Sequence, residues 1–329
     1  MEFNRDFLFS EEAACRHAPT VLEISGGRFL AACFEGSAEG KEDVGIRISL
    51  PPEGPRRRSI RIKVSREPHW NPVLFRLPDT RIALYFKVGC PIARWRTFVA
   101  YSGDEGERWS LPVELVPGDG SGGRGPVKNK PLLLSSGRIA APASVERERW
   151  SARVDLSSDG GLSWPETAEV PMPEERKEGA EPPLGVIQPT LWESAPGRVH
   201  MLLRSNRGRI YRSDSGDGGS SWSPVYPTAL SNNNSGIDLV RTGNGVLLLV
   251  CNPCGRNQGS RSRLVLLSSR DNGASWRERC VLEDRSGSDP GAEFSYPAII
   301  TSSNGEAVIV YTFLRRNIAL VRIPLTRLE

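Results

Sequence analysis

The chain has 329 residues, 25% charged and 38% hydrophobic, with 33 Gly and 26 Pro, a make-up that fits a folded domain crowded with turns and excludes a disordered chain. Its formal net charge of +4 is scattered along the sequence, too diffuse to mark a nucleic-acid surface, and no apolar run approaches the roughly 20 residues that insert into a bilayer. Met1 to Pro19 lacks a basic segment followed by an apolar one, so the chain reads as cytoplasmic as written, or as secreted if a signal has been removed.

The first predicted element is Phe3 to Ser10, where Phe3, Phe7 and Phe9 are set among polar positions as in a strand. Hairpins follow, each an apolar run, a Gly or Asn turn and a second apolar run. They begin at His17 (HAPTVLEISGGRFLAACF), His69, Asn129, Gln188, Ile237 and Tyr296 (YPAIITSSNGEAVIVYTF). Out of phase with them runs an octapeptide, Ser-x-Asp-x-Gly-x-x-Trp, at Ser102–Trp109, Ser157–Trp164, Ser215–Trp222 and Ser269–Trp276. Its Asp can accept backbone N–H groups within a tight turn, its Gly can take a positive φ, and its Trp can pack between layers. The octapeptide is therefore a folding element, adding two outer strands to each middle hairpin.

Six hairpins predict an all-β, single-domain, six-bladed propeller over residues 1–329, with blades starting near 17, 69, 129, 188, 237 and 296. After Tyr311 the one further strand-like run is NIALVRIPL, so residues 1–10 are expected to close the ring by pairing with the last blade. A linear repeat array would need capping units that the sequence lacks. The six cysteines are irregularly spaced, and Cys251 and Cys254 form a lone C-x-x-C without a nearby His. Free thiols, with no metal or cofactor, are expected.

In a propeller the residues entering each innermost strand converge at one mouth of the channel. Here they are His17; His69, Trp70 and Asn71; Lys128, Asn129 and Lys130; Gln188; Asn234, Ser235 and Asp238; and Glu293, Ser295 and Tyr296. Loops leaving the second strands face the same mouth and bring Glu35, Glu39, Asp43, Lys87, Trp95, Glu146, Arg204, Asn252, Arg315 and Arg316. Arginines beside a Tyr point to an anionic ligand, since a guanidinium pairs with a carboxylate in bidentate fashion. His200, inside a strand, reads as a packing residue.

The octapeptides resemble Asp-boxes, and the chain is similar to the sialidases of the neuraminidase superfamily, propellers with BNR repeats. That resemblance implies a carboxylate held by three arginines, a Tyr nucleophile activated by a Glu, and an Asp on a first-blade loop as acid/base. It assigns the Tyr to Tyr296 in FSYPAI, the second arginine to Arg204 and the third to Arg261, with Arg256 and Arg263 as competitors. Glu39 and Asp43 lie on the loop of the general acid. Two positions depart from the pattern: His17-Ala18-Pro19 stands where Arg-Ile-Pro is expected, and Gln188 stands where the activating Glu should be.

The expected function is an exo-acting glycoside hydrolase on a sialic-acid-like or uronic terminal sugar, with Asn71, Lys128, Asn129, Lys130, Asp238, Glu293 and Arg315 among its substrate contacts. Two alternatives stay open. One is a lyase acting on a uronic-acid polysaccharide, with its base among His17, His69, Lys130 and Tyr296. The other is a carbohydrate-binding propeller without catalysis.

Overall fold

Each apolar run becomes a strand, and the strands gather in fours. The computed structural model describes residues 3–51, 57–174 and 182–328, and within them six four-stranded antiparallel sheets form the blades of a propeller. Blade one comprises Cys15–Ile24, Arg28–Gly36, Gly45–Ser49 and Ser59–Ile62. Blades two to five repeat this order, with innermost strands His69–Arg76, Leu132–Leu133, Val186–Ala195 and Asp238–Arg241. Blade six takes Phe294–Thr301, Glu306–Phe313 and Asn317–Pro324 from the carboxyl end and its outer strand, Arg5–Phe7, from the amino end. Arg5 pairs with Val321 and Phe7 with Ala319, which covers a sheet edge and closes the ring as the sequence led us to expect. The innermost strands of blades one and six also pack together, so a linear array is excluded.

Both faces of a blade are covered by its neighbours, so many strands are apolar throughout. Ile82–Val88 and Leu247–Cys251 are buried at every position. Phe34, Ile46 and Ile48 of blade one pack with Trp70, Leu84 and Phe86 of blade two, and Leu248 and Val250 of blade five with Phe294, Ile309 and Tyr311 of blade six. This inter-blade burial is the main stabilising term.

At one end of the ring the four octapeptides make one network repeatedly. The Ser hydroxyl donates to the Asp carboxylate at 2.7–2.9 Å in all four. The Gly N–H returns to the same hydroxyl at 2.8–2.9 Å. Each Gly has φ between 84° and 91°, a conformation costly for residues with a Cβ.

At the opposite end, where the innermost strands begin, one residue per blade sits at positive φ: Ala18 (52°), Asn71 (44°), Lys128 (66°), Gln188 (54°), Asn234 (64°) and Tyr296 (51°). The ladder is broken there in blades one, two, four and six, between His17 and Thr20, Trp70 and Val73, Ile187 and Thr190, and Ser295 and Ala298. Such bulges re-aim a side chain out of the strand pattern. Asn tolerates left-handed backbone, whereas Gln188 and Tyr296 hold it at a cost of about 1–3 kcal/mol each. In blade three the irregular stretch consumes most of the expected strand, leaving only Leu132–Leu133 paired.

Candidate functional site

Below the mouth the axis is filled. Lys128, buried, reaches across the ring and donates to Asn129 Oδ1 (2.9 Å), to the carbonyl of Ile237 (2.7 Å) and to that of Pro297. Asn129 Nδ2 donates to the carbonyls of Gln188 and Pro189, both at 3.0 Å. Lys130 Nζ pairs with Asp238 Oδ2 at 2.8 Å, and Asp238 also accepts from Thr190 Oγ1 (2.8 Å) and the Ile299 N–H (2.9 Å). Burial pushes the Lys128 amine down to about 7. Burial alone would raise the Asp238 carboxyl, but Lys130 and Lys128 outweigh it and hold it below the usual range. Sequence placed Lys128, Asn129, Lys130 and Asp238 among ligand contacts. Their polar atoms instead join blades three to six across the axis.

Above this plug stands Tyr296, its ring resting on Gly236, where a Cβ would come within 3.1 Å of Tyr296 Cγ and 2.9 Å of Lys128 Cε. The Tyr296 hydroxyl accepts a hydrogen bond from Arg204 Nη1 at 2.6 Å. The same nitrogen donates to Gln188 Oε1 (3.0 Å), and Arg204 Nε to Asn234 Oδ1 (2.9 Å). Arg204 ends the second strand of blade four, is 5% exposed, and lies 5.8 Å from the Trp150 ring centroid. The Arg261 guanidinium lies 5.6 Å from the centroid of the Tyr296 ring. Of its competitors, Arg256 is exposed and Arg263 is paired with Glu278 at 2.8 Å, so Arg261 is the arginine of that loop which reaches the Tyr.

The His17 ring packs 4.2 Å, centroid to centroid, from that of Tyr296. Burial first, and Arg315 second, drive its pKa well below the ordinary value, so the imidazole is neutral at pH 7. Its Nδ1 hydrogen-bonds Thr312 Oγ1 at 2.9 Å, while Nε2 is buried without a partner. Glu293 accepts from Arg261 Nη1 (2.8 Å), Arg315 Nε (2.7 Å) and Ser295 Oγ (2.7 Å). Burial opposes its ionisation, yet its carboxyl is held at about 2. With His17 neutral, the attraction comes from Arg261 and Arg315.

Glu39 reaches the cluster through its ion pair with Arg315. Glu146, at the end of blade three's second strand, meets Gln188 Nε2 at 3.4 Å, and burial pushes its carboxyl above the ordinary range. Sequence brought Glu146 to the mouth but gave it no role, although it ends its strand as Arg204 ends the next blade's. Trp150, cross-strand from Glu146, and Asn257, which accepts from Asn234 at 3.1 Å, carried no sequence signal.

Two expected residues stand apart. His69 Nδ1 donates to the Glu67 carbonyl and Nε2 accepts the Val64 N–H, both at 2.9 Å, with its ring stacked on Phe86. Burial takes it down to about 4. It ties down the chain between blades one and two, and both nitrogens are spent. Asp43 caps its own loop, accepting from Ser37 N–H (2.7 Å) and Oγ (2.9 Å), bonds that lower its carboxyl. Asn71 occupies blade two's bulge and is 6% exposed.

A family model of the BNR repeat-like domain matches residues 27–309. No curated protein matches the sequence significantly. Among solved structures, a protein of unknown function from Dyadobacter fermentans superposes with a TM-score of 0.72 at 16% identity, over 97% of this chain and 99% of that one. NanB sialidase from Streptococcus pneumoniae gives 0.70 at 12% identity, over 96% of this chain and 69% of that one. Trypanosoma rangeli sialidase in complex with sialic acid gives 0.70 at 14% identity, and this chain, 98% covered, spans only 59% of it. At these identities the likeness is one of fold.

Proposed function

Because the chain belongs to the BNR repeat-like domain family and is a sialidase-like propeller, we propose that its mouth binds a terminal acidic sugar through the carboxylate and releases that sugar by hydrolysis. The observation that carries this reading is the gathering of three guanidinium groups, Arg204, Arg261 and Arg315, from three successive blades around Tyr296 and its neighbour Glu293. Planar, permanently charged forks suit a carboxylate.

Glu146, its carboxyl raised by burial, is the general acid that protonates the departing glycosidic oxygen as the bond to the anomeric carbon breaks. Gln188 cannot take a proton from Tyr296. The Tyr296 oxygen, fixed by Arg204, therefore stabilises the positive charge at the anomeric carbon and is not the nucleophile the resemblance implies. Water adds to that carbon and returns its proton to Glu146. Glu39, paired with Arg315, and Asp43, locked in its loop, give up the acid role.

A second reading has one observation in its favour: the neutral, unpartnered Nε2 of His17 beside Tyr296. In a β-elimination His17 would take the proton α to the carboxylate while Tyr296 protonates the leaving oxygen, producing an unsaturated uronate. Aryl sialosides and uronides, with ultraviolet absorbance followed for unsaturated products, separate the two. Hydrolysis predicts a free acidic sugar, no unsaturated product, and loss of turnover in Glu146→Gln. Binding of acidic sugars without any product would overturn both readings and leave recognition alone.

A further inference from the structure

At the far end of the ring, remote from the mouth, the hairpin of blade four brings together a serine, a histidine and a carboxylate. His200 pairs across the sheet with Trp192 on one side and Asp214 on the other. Its Nδ1 lies 2.5 Å from Asp214 Oδ1, and its Nε2 lies 2.7 Å from the hydroxyl of Ser194. Asn272, in the Asp-box of blade five, approaches the same Nε2 with its amide nitrogen at 3.3 Å. One tautomer satisfies all three: Nδ1–H donating to Asp214, and Nε2 accepting from Ser194 and Asn272.

The histidine is held firmly. Trp192 stacks on it at 5.0 Å and donates its indole N–H to Asn272 Oδ1 at 2.7 Å. Arg212 Nε (2.9 Å) and the Tyr226 hydroxyl (2.6 Å) both donate to Asp214. Arg212 Nη2 also lies 3.1 Å from His200 Nδ1, and the tautomer above holds with the Nδ1–H directed at the Asp214 carboxylate. Ser194 is half-buried and opens into a cavity of about 490 Å³ that it lines with Arg241, Asn244, Arg270 and Asn272.

A hydroxyl within hydrogen-bond reach of an imidazole that is oriented by a carboxylate, here the half-buried Asp214, is the arrangement that activates a serine. We propose that Ser194, His200 and Asp214 form a second, esterolytic site, separate from the mouth, that takes small acyl esters of polar or anionic alcohols. The cavity's two arginines, Arg241 and Arg270, favour such substrates. Ser194 Oγ attacks the acyl carbon as its proton passes to His200 Nε2, and Asp214 stabilises the imidazolium. The alcohol leaves with that proton, giving an acyl-Ser194. Water then attacks the acyl carbon, gives a proton to His200, and the Oγ–C bond breaks to release the acid while Ser194 regains its proton.

The test is labelling of the unmodified chain with a fluorophosphonate, followed by peptide mass mapping and p-nitrophenyl acetate hydrolysis. The expected result is an adduct on Ser194 and ester turnover that falls on the order of 100-fold or more in Ser194→Ala, with thermal unfolding unchanged. An intact chain without an adduct on Ser194, or a folded Ser194→Ala that keeps the parent rate, would overturn the proposal. The labelling arm decides the matter even where the variant fails to fold.

Discussion

The two ends of the propeller are built on opposite plans. At the Asp-box end, four blades repeat one hydrogen-bond network with distances that vary by a few tenths of an ångström. At the mouth, six blades repeat only a backbone device, a residue at positive φ, and fill it with five residue types: Ala18, Asn71, Lys128, Gln188, Asn234 and Tyr296. A sequence that repeats faithfully is specifying the fold. Where the backbone repeats and the side chains diverge, it is specifying a site. Blade four keeps its Asp-box bonds at the far end and carries Ser194, His200 and Asp214 beside them.

Substitutions at the two ends should fail in different ways. The largest effect is expected for Tyr296→Phe, which removes the hydroxyl held by Arg204: kcat should drop on the order of 100-fold or more, with the fold intact by circular dichroism. Arg204→Ala comes next, costing about 2–5 kcal/mol of binding, read as a rise in KM or Kd for the acidic sugar, because it strips the Tyr296 hydroxyl and Gln188 of a buried charged partner. Gly236→Ala should lower both stability, by about 1–3 kcal/mol in urea unfolding, and activity, because its new Cβ meets Tyr296 and Lys128. Asp217→Ala at the Asp-box end is expected to cost about 1 kcal/mol of stability and leave kcat unchanged. A loss of kcat there would break the contrast between the ends.

Acidification should expose the mouth's charge network. The carboxyl of Glu293 is held at about 2, below its ordinary 4.5, so its contribution to stability is complete above about pH 4.5 and is lost as pH falls through 2. Asp214, also held at about 2, acts in the same direction. Urea unfolding from pH 6 to pH 2 should show stability falling over that window, and Glu293→Gln should flatten the fall.

The fold was legible because its signals are local. The Asp-boxes, hairpin turns and apolar runs lie within a few residues of one another, and the stray Phe3–Ser10 segment could be placed once the last blade was seen to be one strand short. The mouth was legible in part, since propeller geometry predicts which residues converge but not which way each points. Bulges decide that, and they turned Gln188 and Tyr296 towards Arg204. His69 illustrates the limit: it precedes a strand as His17 does, yet its nitrogens are taken by Glu67 and Val64. Lys128, Lys130 and Asp238 were assigned to a ligand because nothing in the sequence reveals that Lys130 meets Asp238, and Lys128 the carbonyls of Ile237 and Pro297, across the axis. His200 read as a packing residue because its partner Asp214 is a cross-strand neighbour, a relation set by register.

The central claim is that the arginine-rich mouth recognises a sugar carboxylate, and calorimetric titration of the protein with sialic acid and uronic acids, each beside its methyl ester, tests it most directly. The account predicts saturable binding of at least one free acid, loss of that binding in the ester, and loss in Arg204→Ala. Equal affinity for acid and ester, or undiminished binding to Arg204→Ala, would contradict it.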